Sequence, residues 1–79
     1  MERYSINTPL PAIRLFQSHR TGKAGEMALL PANAVVVIRG PSSVGTDMVE
    51  VTWQHQRFAV FERDLVMRAT LVQIEAVGD

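Results

Sequence analysis

The segment Met48–Phe61 constrains the fold most, because its polar and apolar residues alternate as they do in an antiparallel β-hairpin. A two-residue turn at His55-Gln56 is predicted, and it pairs Trp53 with Phe58, Thr52 with Ala59 and Val51 with Val60. One face of this hairpin is then apolar and consists of Val49, Val51, Trp53, Phe58 and Val60. The opposite face carries Glu50, Thr52, Gln54 and Arg57, so we expect Trp53 in the core and Arg57 in solvent.

The length of 79 residues predicts one small domain, and 47% apolar residues with few aromatics predict a small aliphatic core. No cysteine is present, so neither a disulfide nor a thiolate metal site can reinforce that core. A domain this small often gains further burial by pairing with a copy of itself or with a partner. The formal charge of zero divides unevenly, since residues 1–46 carry five basic and two acidic residues and residues 47–79 carry three and six.

Residues 1–25 show no sustained period and contain Pro9 and Pro11, which predicts an extended arm that is mobile unless something pairs with it. Residues 26–79 are predicted to form the folded domain. Within the arm, Ile13, Leu15 and Phe16 are apolar and could not bury themselves in a small barrel that is already filled. We therefore expect a homo-oligomer, most simply a dimer, in which these three residues contact another subunit.

Residues 26–79 read as strand, long loop, hairpin, helical turn and closing strand, the order of a small five-stranded all-β barrel. The β-branched run at 34–38 gives the strand before the loop at 39–47, and residues 62–65 give the helical turn, with Asp64 as its cap. The last strand is expected over residues 69–77.

This order resembles the Src-homology-3-like barrels, especially their minimal bacterial versions, over residues 30–75. The motifs that carry the resemblance are Val49-Glu50-Val51-Thr52-Trp53, Phe58-Ala59-Val60 and Asp64-Leu65. By this resemblance, a binding face lies where the loop 39–46 approaches the hairpin tip, with Arg39, Ser42, Ser43, His55 and Arg57 as its candidate residues. That superfold hosts peptide binders, nucleic-acid binders and a few enzymes, so it selects no single function.

The sequence contains no convincing catalytic, metal-binding or nucleotide-binding motif. Gly40–Asp47 approximates a phosphate-binding loop, but Thr46 replaces its lysine and a strand pattern, not a helix, follows. The two histidines, His19 and His55, are isolated, so no metal site or catalytic pair is predicted. We expect no cofactor.

Two alternatives remain from the sequence. Nucleic-acid binding would use the basic and aromatic residues of the arm, namely Arg14, Phe16, His19, Arg20 and Lys23. The second alternative is an enzyme, because Val72-Gln73-Ile74 resembles part of the type II dihydrofolate reductases, although Glu75 replaces that family's tyrosine. No apolar run approaches the length of a membrane span or a signal peptide, which predicts a cytoplasmic protein with no membrane contact. The sequence thus predicts a non-enzymatic interaction module that associates with itself or with a protein partner.

Overall fold

The protein folds mainly as β-strands with one short helix. The computed structural model describes residues 2–18 and 22–74, and for residues 16–18, 22–24, 73 and 74 it describes the backbone alone. The strands are β1 (Glu2–Ile6), β2 (Leu10–Ser18), β3 (Gly22–Leu30), β4 (Val35–Pro41), β5 (Met48–Trp53), β6 (Gln56–Phe61) and β7 (Ala69–Ile74), with α1 (Glu62–Arg68) before β7. Over these ranges, no helix is long and apolar enough to cross a membrane.

All seven strands belong to one antiparallel sheet in the order β3-β2-β6-β5-β4-β1-β7. The prediction of an all-β chain is therefore right in outline, but the predicted five-stranded closed barrel is wrong. Among the described residues the sheet has two free edges, β3 and β7, and these edges do not pair with each other. The segment expected to be an arm supplies β1, next to the β7 edge, and β2, next to the β3 edge.

Residues 1–25 do not form a separate arm. β1 lies between β4 and β7, while β2 pairs with β6 on one side and with β3 on the other. The boundary expected near residue 25 falls inside β3. The prolines suggested irregular structure, yet Pro11 lies in β2 opposite Leu29, and residues 10–15 are almost all apolar, so the two-residue alternation that reveals a strand is missing.

One core cluster contains side chains from each of the six strands from β1 through β6 and from the helix. Its fully buried aliphatic side chains come from six different strands, and Leu65 of α1 adds to them with 3% exposure. The residues below 2% exposure are Ile6, Leu10, Leu30, Val36, Val51 and Val60. Two of these, Ile6 and Leu10, come from the segment expected to be an arm, so that segment is part of the core.

The β5–β6 hairpin has the predicted faces but a different turn. Its pairs are Trp53 with Gln56, Thr52 with Arg57 and Val51 with Phe58, which moves the turn to Gln54-His55. A shift of two positions leaves every side chain on its predicted face, because side chains alternate with a period of two. Trp53 is half-buried against the core with its ring centroid 6.3 Å from that of Phe58, and Gln54 and Arg57 are exposed as predicted.

The turn itself offers a test. Gln54 and His55 have φ angles of 51° and 64°, both in the left-handed region that a two-residue hairpin turn requires. Since non-glycine residues pay about 1–2 kcal/mol in that region, we expect the double variant Gln54→Asn, His55→Gly to raise the free energy of unfolding by about 1 kcal/mol. Urea unfolding measures this, and Gln54→Val, whose branched side chain tolerates positive φ poorly, should be less stable than the parent. Equal midpoints for all three proteins would contradict the turn geometry.

Candidate binding groove

The loop between β4 and β5 is anchored to the helix by backbone hydrogen bonds. The Ser42 amide donates to the Met48 carbonyl at 2.9 Å, and the Glu62 amide donates to the Asp47 carbonyl at 2.9 Å. The second bond supplies a partner for the first N–H of α1, whose N-cap residue Phe61 has no side-chain capping bond. Asp64 was expected to cap this helix but lies within its first turn. The end of the loop and the start of α1 are therefore held side by side.

A groove of about 970 Å³ lies where this loop and α1 meet. We call it the loop–helix groove. Its apolar lining consists of Ile38, Pro41, Met48, Val49, Phe61, Val66 and Met67. Phe61, Val66 and Met67 are 51%, 67% and 75% exposed, so three large apolar side chains of one wall remain open to solvent. Apolar surface gathered in a concavity is typical of binding sites.

The charged lining of the loop–helix groove is mainly acidic. It includes the carboxylates of Asp47, Glu62 and Asp64 and a single cation, Arg63. Gly40 also lines the groove, and its φ of 138° lies in a region that L side chains rarely adopt. Gly40 follows a register shift in the β4–β5 pairing, so the strand is irregular where it enters the loop. The arrangement offers an apolar floor with an excess of negative charge.

The residues predicted to bind are not gathered at one place. Ser42 is buried, and its Oγ accepts a hydrogen bond from the Val44 amide at 3.2 Å, which shapes the loop. Ser43 is exposed in the same loop. The loop borders the Met48 end of β5, whereas the hairpin tip follows Trp53 at its other end, so Ser42 and Ser43 lie apart from His55. Tertiary contacts place the loop beside α1 instead.

Arg39 and His55 line a second, shallower depression of about 440 Å³. Its other lining residues are Arg3, Val35, Val37, Thr52, Trp53 and Gln54. The side chains that line it include two arginines, Arg3 and Arg39. Arg39 stands at the irregular position between Ile38 and Gly40, where β4 departs from regular pairing with β5.

Arg57 forms an ion pair across the β5–β6 hairpin. Its Nε and Nη2 atoms donate to the two carboxylate oxygens of Glu50 at 2.7 and 3.0 Å. These hydrogen bonds, and then the charge of Glu50, raise the pKa of Arg57. Because an arginine is already charged throughout the physiological range, the contact fixes the side chain in place without creating a titrating group.

The residues proposed for self-association and for the alternatives are only partly described. Ile13 and Leu15 lie half-buried on β2. The side chains of Phe16, Lys23 and Gln73, and all of His19, Arg20 and Glu75, lie outside the described residues. No group of three or more potential metal ligands occurs over the ranges that the structure covers.

Sequence reasoning missed Phe61, Val66 and Met67. Each has an apolar side chain in or beside a seven-residue helix, and only the position of the loop determines that they face a groove. The sequence did contain one indication of this exposed surface. Leu65, Val66 and Met67 are consecutive apolar residues, and a short helix that buries Leu65 cannot also bury the next two.

The fold and the groove define a small, open antiparallel β-sheet protein with an apolar surface cleft. Comparisons with protein-family models, with curated proteins and with solved structures found no match. The function is therefore inferred from the geometry of this chain.

Proposed function

We propose that the protein is a non-enzymatic interaction module and that its loop–helix groove binds an apolar segment of a protein partner that also carries lysine or arginine. The observation that carries the proposal is the exposed wall of Phe61, Val66 and Met67 beside three carboxylates. An apolar side chain of the partner would cover this wall. Cations flanking that side chain would meet the acidic rim.

The size of the groove supports a short segment as the occupant. A volume of about 970 Å³ is at the upper end of the range that holds a drug-sized ligand, which corresponds to a few amino-acid side chains. The irregular strand at Gly40 and the anchored loop form one wall of the groove. Hydrogen bonds already hold the backbone of the loop, so binding costs little conformational entropy.

The proposed resemblance to Src-homology-3-like modules is compatible with this proposal, because that superfold includes peptide binders. It is based on the order of β4, long loop, β5–β6 hairpin, helical segment and β7. The proposed relation concerns this succession of elements, since the sheet itself is open.

The test uses two synthetic peptides with the same apolar residues, one with lysine and one with glutamate at the polar positions. We expect the lysine peptide to shift the amide resonances of the loop and α1 in an NMR titration and to bind more weakly as salt rises. The glutamate peptide should leave those resonances unchanged. Equal binding of both peptides, or changes in amide resonances confined to residues outside the loop and α1, would refute the proposal.

A methionine pair provides matched variants. Met67 lines the groove with 75% exposure, and Met27 lies on β3 with 76% exposure. Because burying a methionine is worth about 1.5–3 kcal/mol, we expect Met67→Ser to weaken lysine-peptide binding about tenfold or more, and Met27→Ser to leave it unchanged. Both variants should keep the parent melting temperature, since neither side chain is in the core.

The acidic rim is tested separately by Glu62→Gln combined with Asp64→Asn. Glu62 joins the loop through its backbone amide, so the side chain can change without removing that hydrogen bond. This variant should bind the lysine peptide with a reduced dependence on salt. An unchanged dependence would place the partner's cations elsewhere.

A further inference from the structure

We propose that β3 pairs antiparallel with the β3 strand of a second copy of the chain, forming a two-fold dimer whose sheet runs through both subunits. The proposal concerns a different surface from the loop–helix groove and does not depend on it. It depends on three features of β3, namely its length and regularity, the apolar face beside it, and the self-complementarity of a strand edge.

β3 is a long edge strand with little of the usual protection. It spans nine residues and pairs with β2 over all nine without a register shift, so its backbone has no bulge. It contains no proline, and its charged residues are Lys23 and Glu26 alone. An open ladder of N–H and C=O groups can pair with another strand. Natural edge strands are therefore normally short, or they carry a bulge, a proline or charged side chains.

The other edge differs in the same respects. β7 has six residues, and its pairing with β1 shifts register between Arg3 and Tyr4. The side chain of Thr70 accepts a hydrogen bond from Asn7 Nδ2 at 2.9 Å, which ties this strand to the turn after β1. β3 is thus the edge better suited to strand addition.

The face of the β2–β3 hairpin that points away from the core is apolar throughout its described part. We call it the outer face, and it consists of Pro11, Ile13, Leu15, Gly25, Met27 and Leu29. The alternate residues Leu10, Ala12 and Leu30 are buried, which fixes the orientation. Met27 and Leu29 remain 76% and 62% exposed. A strand face in contact with solvent is expected to carry polar residues. This face is apolar instead, so nothing covers it in the single chain.

Gly25 shapes this surface. A Cβ atom on Gly25 would come within 2.6 Å of Ile13 Cγ2, so the glycine lets Ile13 lie across β3. The outer face therefore continues without a step from β2 to the free edge. Such a surface extends directly onto an added strand.

A second copy is the occupant that this edge fits best. Two strands related by a two-fold axis at a sheet edge run antiparallel, and each supplies the donors and acceptors that the other lacks. The strand carries one cation and one anion, so bringing two copies together adds no net like charge. Met27 and Leu29 of both copies would come together near the axis and cover one another.

The interface is small, which sets the expected strength. One strand pair with its flanking side chains lies at the low end of specific interfaces, so we expect a dimer in rapid exchange at micromolar affinity or weaker. Sedimentation of the full chain from about 1 to about 500 µM should show the mass rise from one chain to two. Met27→Lys combined with Leu29→Lys should abolish the rise, while Met67→Lys should leave it unchanged.

Single cysteines locate the contact, since the parent chain has none. Cysteines placed singly at positions 24 to 29 should form inter-chain disulfides most readily at one position and less readily on either side of it, as a two-fold antiparallel pair requires. Cysteines at Met67 and at Leu71 of β7 should not cross-link. A chain that stays monomeric at the highest concentration, or a dimer that cross-links through Met67 or Leu71, would overturn the proposal. Peptide binding in the groove is measured separately, so failure of either proposal leaves the other in place.

Discussion

Replacing Phe58 with alanine is expected to destabilise the protein by about 3–5 kcal/mol, the range for removing a fully buried aromatic ring. Phe58 is 3% exposed, lies opposite Val51 and belongs to the central cluster of the core. A domain of this length has a total stability of about 4–12 kcal/mol, so the variant should lose a large part of it and melt at a much lower temperature than the parent. Thermal and urea unfolding followed by circular dichroism measures the change.

Two comparisons sharpen this result. Trp53→Ala should cost less than Phe58→Ala, because Trp53 is half-buried and packs against the edge of the same cluster. Phe61→Ala, which removes a ring that is 51% exposed, should change the unfolding free energy by much less than either. A Phe58→Ala protein that melts with the parent would show that the hairpin register is wrong.

Removing residues 1–25 is expected to abolish the folded state. The truncation deletes β1 and β2, leaves β3 without its partner strand, and removes the buried side chains of Ile6 and Leu10. β4 and β7 would each lose the strand that joins them, so the loss exceeds the whole stability of the domain. A flat thermal profile and collapsed amide dispersion in the NMR spectrum are the expected observations.

The opposite result would restore the sequence interpretation. If residues 26–79 alone melted cooperatively, the first strands would be an appendage of an independent domain. The same experiment shows why truncation cannot test self-association. That test needs substitutions such as Met27→Lys, which leave the core intact.

The sequence predicted the β5–β6 hairpin because polar and apolar residues alternate there with a period of two. The faces were right even though the turn lies one residue earlier than expected and the pairing is shifted by two, since alternation fixes the face but not the register. His55 was correctly expected in the turn, but Gln54 was not, because glutamine is not a typical residue for a positive φ angle.

β2 and β3 were missed for the opposite reason. Both faces of that hairpin are apolar over much of its length, so neither a strand nor a helix period stands out. The buried face is explained by the core and the outer face by the proposed second copy. A strand that is apolar on both sides because it serves two surfaces cannot be recognised by alternation.

The groove could not be predicted because it depends on which elements meet. The sequence indicated a loop at 39–47 and a helical turn at 62–65, and both occur with modified bounds. Their contact rests on the hydrogen bond from the Glu62 amide to the Asp47 carbonyl, which no side-chain pattern specifies. Ser42 was expected near the hairpin tip but lies in the loop that meets α1, whereas Arg39 does line a depression with the tip residues Gln54 and His55.

The position of β1 between β4 and β7 has a consequence for how the chain acquires its structure. β1 pairs with β4 and with β7, and the second of these ends only at Ile74, so β1 leaves the ribosome well before its second neighbour does. Pairing partners so far apart along the chain make folding slow relative to a helical domain of equal size. Until β7 has been synthesised, β1 lacks one of its two ladders, so we expect the sheet to be completed only once β7 has emerged, with one edge of β1 exposed to chaperones in the interval.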